Sequence, residues 1–193
     1  MMSILNSPQT PKRYLYISLL ALLLLPLLSQ PSRADSYDAD FDRFGRRFLP
    51  YIQKADIWLA AQAWQESSLD PYAVSPAQAK GLMQTMDATH AEIGRALGIQ
   101  CSQFNPRCSI MFGAYYDDRM TRNFLGKRDR QPEDALLIGL AAYNCGLGCV
   151  LKAQERCFDA RLICGINPCL PAESVEYTKR IRNRFIELKS NPQ

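Results

Sequence analysis

The sequence predicts a mainly α-helical single domain with a minor β element, cross-linked by disulfides. Apolar residues recur at three-to-four spacing over most of the chain, which is the period of a helix buried on one face. Turn-forming residues cluster in one stretch, 70–86, which leaves room for only a small hairpin. The length of 193 residues corresponds to about one domain.

The N-terminal segment, 1–34, has the order of a secretory signal peptide. A basic pair at positions 12–13 precedes an apolar run from Tyr14 to Leu28, and the small residues Ser32 and Ala34 follow. The run is shorter than the roughly 20 residues that a membrane-spanning helix needs. Cleavage after Ala34 leaves a mature domain, 35–193, without a stable membrane span, in the periplasm or cell envelope. An uncleaved leader that anchors the chain to the membrane is the alternative.

The charge balance argues against nucleic acid as a partner. The formal net charge is +4, but three of the 23 cations and none of the 19 acidic residues lie in the segment 1–34. The mature domain is therefore nearly neutral and lacks the basic surface that nucleic-acid binding needs. Its length also excludes a large multidomain enzyme and a multi-span membrane protein.

All seven cysteines follow residue 100, and in an exported chain they predict a disulfide framework. Seven cysteines allow on the order of 100 pairings with one thiol left over, and the sequence does not choose among them. Zinc is not expected, because Cys145 and Cys149 are followed by no second pair at ligand spacing and no histidine. His90 is the single histidine, and its neighbours predict an exposed helix. No metal or cofactor is expected.

Helices are predicted in order along the mature domain. Phenylalanines at 41, 44 and 48, continued by Tyr51 and Ile52, form the apolar face of an amphipathic helix before Asp56. Residues 57–66 are rich in Ala, Leu and Gln and apolar nearly all round, which predicts a buried helix. Further helices are predicted at about 88–97, 108–125, 132–143, 146–156 and 174–189.

Glu66 stands at the end of the most apolar of these helices. Glutamate is seldom buried without a partner, because an ionised carboxylate in apolar surroundings is costly. Such surroundings raise the pKa of a carboxyl and keep part of it protonated near neutral pH. A partly protonated Glu in a cleft can protonate a glycosidic oxygen. The structural alternative is a Glu at a helix end that points to solvent or pairs with an Arg.

Three motifs carry a resemblance to the soluble lytic transglycosylase catalytic domain. The run QESSLDPYAVSPAQAKGLMQ at 65–84 is similar to the first signature of that family. LAAYNCG at 140–146 resembles its Ala-Tyr-Asn-x-Gly signature, and ESVEY at 173–177 resembles its C-terminal Glu-Thr-x-x-Tyr element. The three motifs occur in the order of the family, and the resemblance covers about residues 55–185. Because the family has the goose-type lysozyme fold, the resemblance implies a lysozyme-like domain.

The resemblance also implies an activity and a site. The family cleaves the β-1,4 bond between N-acetylmuramic acid (MurNAc) and N-acetylglucosamine (GlcNAc) in peptidoglycan glycan strands and forms 1,6-anhydro-MurNAc ends. Glu66 matches its single catalytic residue, which acts first as acid and then as base. The positions that match the walls of its sugar groove are Ser75, Gln84, Met86, Tyr143, Asn144 and Tyr177.

Simpler interpretations stand beside these roles. Ser75 before Pro76 is also explained as a turn residue, Gln84 as a partner of backbone groups, and Asn144 as a helix C-cap. Two of the departures from the family pattern fall between Ser75 and Thr89, in the segment that also contains Gln84. They are Gln78 in place of Gly and Asp87 in place of Pro.

Two alternative functions remain open from the sequence. A lysozyme-type hydrolase would need a second carboxylate to hold a water, and Asp70 or Asp117 would have to supply it. Asp70 lies beyond the helix end and beside Pro71, so we interpret it as a cap or turn residue. A non-catalytic peptidoglycan-binding assembly protein would keep the groove without using Glu66. By analogy, a short exported enzyme of this kind opens the wall for a secretion, conjugation or phage apparatus.

Overall fold

Helices build almost all of the domain in the computed structural model, which describes residues 37–157 and 161–191. The helices are, in chain order, α1 (Asp38–Phe48), α2 (Ala55–Ser67), α3 (Asp87–Leu97), α4 (Pro106–Arg122), α5 (Pro132–Cys145), α6 (Leu147–Arg156), α7 (Ile163–Ile166) and α8 (Ala172–Ser190). A 3₁₀ turn, Asn167–Cys169, joins α7 to α8. The predicted leader, 1–34, lies outside the described residues.

The helices follow the sequence pattern closely, with one change at the end of α1. The apolar spacing predicts that this helix continues to Tyr51 and Ile52, but it ends at Phe48. The N–H of Leu49 still bonds to Gly45 O, and Pro50 then has no N–H with which to continue the ladder. Ile52 is nevertheless buried, because the turn folds back onto the core. The short α7 was not predicted.

α2 is the central helix and packs between α1 and α8. Its buried side chains include Trp58, Leu59 and Gln62, in agreement with the predicted burial. The helix stops where Ser68 adopts a left-handed conformation (φ 52°) and donates its N–H to Trp64 O. Glu66 is therefore held in the last turn of a buried helix.

The main core lies where α1, α2, α4, α5 and α8 meet. Its fully buried side chains include Phe41, Leu59, Ile110 and Leu136. A second cluster packs α5 against α6, with Ile166 and Leu170 closing it. Together the two clusters fix the ends of α2, α5 and α8 relative to one another.

The minor β element consists of isolated antiparallel bridges, Val74 with Lys80 and Lys80 with Thr85. Gln78, which stands where the family pattern has Gly, takes the left-handed conformation (φ 67°) that favours glycine. Asp87 is the first residue of α3, a position where Pro is also favoured, and its carboxylate pairs with Lys80 Nζ at 2.8 Å. The loop between Ser75 and α3 thus accommodates both departures.

Three disulfides connect residues that the sequence could not pair. They join Cys101 to Cys108, Cys145 to Cys149 and Cys157 to Cys169, and Cys164 is left as an exposed free thiol. The expectation of a disulfide framework with one odd cysteine is confirmed.

His90 differs from its prediction. It is half-buried rather than solvated, because its Nε2 lies 2.9 Å from Cys101 O. Its ring also lies against the ring of Phe112, with the centroids 4.5 Å apart.

Among the described residues, no single helix is both long and apolar enough to cross a membrane. α5 and α6 meet that length and composition test only as a pair, and they are bent by 120° at the break between them.

Candidate active site

Glu66 lies where α2 ends, and it is partly buried rather than turned out to solvent. Burial raises the pKa of its carboxyl from the ordinary value of 4.5 to about 7, and a hydrogen bond from Tyr177 opposes that rise. At pH 7 about half of the molecules therefore carry the proton, against well under 1% for an unperturbed Glu. The carboxyl can both give and take a proton near neutral pH.

Tyr177 of α8 is the direct partner of Glu66. Its hydroxyl donates a hydrogen bond of 2.6 Å to Glu66 Oε1, and its side chain is buried. Burial raises the pKa of the Tyr177 phenol well above 10, so the hydroxyl keeps its proton and remains a donor. A hydrogen bond of this kind favours the ionised carboxylate.

Tyr143, near the end of α5, connects that helix to the loop that carries Met83. Its hydroxyl donates to the carbonyl of Met83 at 2.6 Å, and its ring meets the edge of Tyr116 with centroids 5.1 Å apart. The charge of Glu66 contributes, after burial, to raising the pKa of the Tyr143 phenol. Tyr143 therefore fixes the loop after residue 81 beside Glu66.

The same loop is tied to α2 directly, because Ser67 Oγ donates to Leu82 O at 2.9 Å. Gly81 is required there, since its φ is +79° and a Cβ would overlap the carbonyl oxygen of Gln103. The residue after Glu66 thus anchors the loop on which three of the predicted groove residues lie.

Ser75 and Gln84 both use their side chains within this loop. Ser75 Oγ accepts the N–H of Ala79 at 3.0 Å, as a turn residue does. Gln84 Nε2 donates to the carbonyls of Ala73, at 3.1 Å, and Gly81, at 2.8 Å. The simpler interpretations of both residues are therefore confirmed, and their contact with a sugar stays a prediction.

Met86 and Asn144 are the exposed members of the predicted set. Met86 precedes α3 and is 45% exposed. Asn144 lies within the last turn of α5, which ends at Cys145, so it is not the C-cap that the simpler interpretation supposes. Its Oδ1 accepts a hydrogen bond of 2.6 Å from Ser174 Oγ of α8. Asn144 therefore connects the two helices that carry Tyr143 and Tyr177.

Two polar residues lie behind the site: Gln62, which was not predicted as part of it, and Asp117, which the sequence offered only as the base of a hydrolase. Gln62 and Asp117 are each 1% exposed, and Gln62 Nε2 donates to Asp117 Oδ1 at 3.2 Å. The same nitrogen lies 3.4 Å from Tyr177 Oη. A signal was present in the sequence, since Gln62 is one turn before Glu66 and Asp117 shares a helix face with Ile110 and Ala114.

The two carboxylates considered for a hydrolytic base are placed differently from Glu66. Asp70 Oδ1 accepts the N–H of Tyr72 at 3.1 Å, which confirms it as a turn residue. Asp117 is sealed inside the domain. Burial, followed by the charge of Glu66, raises the pKa of Asp117 well above its ordinary value against the effect of the Gln62 hydrogen bond.

Among residues 37–157 and 161–191, one group of side chains could hold a metal ion by its spacing. His90, Cys101 and Cys108 have ligand atoms within 4.8 Å of one another. The two cysteines are joined as a disulfide, which leaves no thiolate to bind a metal.

A helical fold in which a protonatable carboxyl ends the central helix, faced by a buried tyrosine, defines a lysozyme-like domain. The chain belongs to the transglycosylase SLT domain family, whose model matches residues 55–161. This match includes Glu66, Tyr143 and the turn-rich stretch 70–86, while Tyr177 lies beyond it.

Solved structures confirm the predicted lysozyme-like fold. The soluble lytic transglycosylase SLT70 of Escherichia coli superposes with a TM-score of 0.63 at 22% identity, over 78% of this chain and 24% of that one. An inactive mutant of the lytic transglycosylase Slt of Pseudomonas aeruginosa gives a TM-score of 0.62 at 24% identity, over 94% of this chain and 30% of that one.

Sequence relatives point to the same family. A protein named membrane-bound lytic murein transglycosylase F from Desulfosudis oleivorans is 36% identical over 116 residues, 56% of this chain and 24% of the relative. A protein of the same name from Alcanivorax borkumensis is 42% identical over 91 residues, 47% of this chain and 18% of the relative. The chain thus spans about a quarter or less of the length of these relatives.

Proposed function

We propose that this chain is an exported peptidoglycan lytic transglycosylase. It cleaves the β-1,4 bond between MurNAc and GlcNAc and leaves 1,6-anhydro-MurNAc ends, with Glu66 as its single acid and then base. The family and the names of the relatives support the reaction class. The observation that carries the proposal is the position of Glu66, whose carboxyl lies in the last turn of the buried helix α2 and accepts a hydrogen bond of 2.6 Å from Tyr177. Burial there raises the pKa of the carboxyl to about 7.

In the first step Glu66 gives its proton to the glycosidic oxygen, and the bond from that oxygen to C1 of MurNAc breaks. The carbonyl oxygen of the substrate's own N-acetyl group supplies an electron pair to C1 and supports the developing positive charge. Glu66 is left as a carboxylate, which Tyr177 stabilises through its 2.6 Å hydrogen bond. The GlcNAc product leaves with the transferred proton on its 4-hydroxyl.

In the second step the Glu66 carboxylate removes the proton of the MurNAc 6-hydroxyl. The 6-oxygen attacks C1, the 1,6-anhydro ring closes, and the N-acetyl oxygen is released. Glu66 is protonated again, so atoms and charges balance without water. Well-placed intramolecular nucleophiles reach effective molarities of ~10⁵–10⁸ M, against about 55 M for water, so ring closure wins when the sugar is held rigidly.

The placement of the other carboxylates supports this route over hydrolysis. A hydrolase needs a second carboxylate that can reach a water in the groove. Asp117 is 1% exposed and cannot reach such a water, and Asp70 is engaged in the turn after α2. Both candidates that the sequence offered for the base are therefore poorly placed for it.

We assign the predicted groove residues three kinds of role. Met86 and Asn144 are exposed and would contact the sugar directly. Ser75, Gln84 and Tyr143 use their polar groups to hold the loop after residue 73, so they would act by shaping the groove. Tyr177 is buried and would act on Glu66 rather than on the sugar.

The location that fits this function is the cell envelope. Three disulfides need an oxidising compartment, and the relatives carry the name membrane-bound. The N-terminal segment, 1–34, would supply export. A secretion, conjugation or phage apparatus that needs a local opening in the wall is the partner class that suits a domain of this size.

The mass of the released products tests the proposal. Mature protein incubated with purified sacculi should release muropeptides that carry 1,6-anhydro-MurNAc. Products uniformly heavier by one water would overturn the transglycosylase route in favour of a lysozyme-type hydrolase. Retained binding to sacculi with no released material would favour a non-catalytic peptidoglycan-binding assembly protein.

A further inference from the structure

A chain of buried hydrogen bonds runs from α4 to the candidate catalytic carboxyl. Gln62 Nε2 donates to Asp117 Oδ1 at 3.2 Å and lies 3.4 Å from Tyr177 Oη, which in turn donates to Glu66 Oε1 at 2.6 Å. Gln62 and Asp117 are each 1% exposed and Tyr177 is 6% exposed. All three side chains are buried behind the groove, and the chain that they form ends on Glu66.

The structure assigns a direction to each of these hydrogen bonds. The amide nitrogen of Gln62 has two protons, which it can give to Asp117 Oδ1 and to the Tyr177 oxygen. Once its oxygen accepts from Gln62, Tyr177 has its own proton left for Glu66. With its acid proton on Oδ2, a neutral Asp117 keeps Oδ1 as an acceptor, and the bond at Oδ1 holds the nitrogen of Gln62 rather than its oxygen toward Tyr177.

The surroundings of Asp117 suit a neutral acid. Its Oδ2 is buried and has no hydrogen-bond partner among the described residues, so an ionised form would leave a bare charge inside the protein. Burial and the charge of Glu66 raise the pKa of Asp117 well above its usual range. A neutral Asp117 adds no charge that would oppose the Glu66 carboxylate when it forms.

The titratable groups that face Glu66 and Asp117 come from several elements. They are Tyr177 of α8, Tyr143 of α5, Tyr116 and Asp118 of α4 and Tyr51 of the loop after α1. Burial raises the pKa of each of the four tyrosines, so they stay neutral. Asp118 is paired with Arg122 at 2.8 Å and accepts from Tyr51 at 2.6 Å, which offsets its charge.

We propose that Asp117 is a positioning residue for the reaction. Held as a neutral acid, it orients Gln62, so that Tyr177 is committed to donate its hydrogen bond to Glu66. This relay favours the carboxylate that Glu66 becomes after it gives up its proton. The inference rests on the proposed role of Glu66, but its test does not require that role to be correct.

The test measures the pKa of Glu66 from the carbon-13 shift of its carboxyl in the mature protein, with Glu66→Gln used to assign the signal. Asp117→Asn mimics the neutral acid, and we expect it to leave the pKa of Glu66 within about 0.3 of the wild-type value. The double variant Gln62→Leu with Asp117→Leu removes both polar partners, an exchange that folded proteins tolerate well. We expect it to raise the pKa of Glu66 by about 0.5–1.

Tyr177→Phe provides the control, because a purely structural role of Asp117 and Gln62 would not depend on the Tyr177 hydroxyl. In that background the double Leu variant should move the pKa of Glu66 by less than about 0.3, because its effect passes through the Tyr177 hydroxyl. An equal shift in both backgrounds would overturn the relay, as would no shift in either. An Asp117→Asn variant that lowers the pKa of Glu66 by more than about one would show that Asp117 is ionised.

The wild-type spectra alone give a second readout. The Asp117 carboxyl should remain protonated through the pH range in which Glu66 ionises, and an Asp117 that ionises first would overturn the proposal even if the variants do not fold. A wild type that releases no anhydro-muropeptides would overturn the proposed function instead, and the titration would still decide the relay.

Discussion

Tyr177 Oη and Glu66 Oε1 lie 2.6 Å apart although 111 residues separate them in the sequence. Burial pushes the pKa of Glu66 up, and this hydrogen bond pulls it down, to a value of about 7. The balance of the two gives a carboxyl that is an acid and a base in the same pH range.

Activity should fall as pH rises through about 7, because Glu66 then loses the proton that it must give to the glycosidic oxygen. Tyr177→Phe removes the hydrogen bond that stabilises the carboxylate, so it should raise the pKa of Glu66 and move the alkaline limb of kcat/KM to higher pH by about one. Profiles of muropeptide release between pH 5 and pH 9 measure the alkaline limb of the wild type and its shift in Tyr177→Phe. An alkaline limb that stays in place in Tyr177→Phe would show that another group controls it.

Glu66 should also make stability depend on pH. Its folded pKa of about 7 lies above the ordinary value of 4.5, so the stability associated with the protonated form is complete below about 4.5 and is lost as pH rises through 7. Glu66→Gln has no proton to lose. Its stability relative to wild type should therefore increase between pH 4 and pH 8.5, by on the order of 3 kcal/mol. Urea unfolding at the two pH values measures the difference. A gap independent of pH would contradict the burial of the carboxyl.

Tyr143→Phe should loosen the loop beside Glu66. It removes the donor to Met83 O and leaves that carbonyl without the hydrogen bond, at a cost of about 1–2 kcal/mol. We expect a higher KM for glycan strands with a smaller change in kcat. Tyr72→Phe is the matched control, because Tyr72 is 73% exposed and its hydroxyl should contribute little. An equal KM in the two variants would show that the Tyr143 hydroxyl does not hold the loop in place.

The disulfide between Cys157 and Cys169 should affect folding before it affects chemistry. It connects the end of α6 to the turn before α8, the helix that carries Tyr177. Replacing both cysteines with Ser should lower the free energy of unfolding by about 2–4 kcal/mol, while kcat at low temperature stays near wild type. Cys164→Ser is the control, since that thiol is free and exposed. Loss of kcat without loss of stability would indicate a direct role in the groove.

The sequence was sufficient for the parts of the site that depend on one element at a time. The burial of Glu66 could be predicted because a lone carboxyl closes a helix that is apolar nearly all round. Ser75 and Asp70 could be identified as turn residues because their neighbours are prolines. Gln78 could be recognised as a departure from the family pattern, and the structure adds that it adopts the conformation of the Gly it replaces.

The remaining features depend on how distant elements pack. Gln62 and Asp117 are 55 residues apart, and they meet only because α2 lies against α4. The cysteine pairs depend on distances between loops, which composition does not contain. Gln84 could be expected to bond to backbone groups, but its acceptors, the carbonyls of Ala73 and Gly81, depend on the path of the loop.

The most direct test of the central claim compares Glu66→Gln with wild type on purified sacculi at pH 6. Loss of a general acid typically slows a reaction by about 10²–10⁴-fold, so the variant should release anhydro-muropeptides at least about 100-fold more slowly. Its fold and its binding to sacculi should be unchanged, since Gln has nearly the same shape. Release within a few-fold of wild type would contradict the claim that one proton on Glu66 drives the reaction.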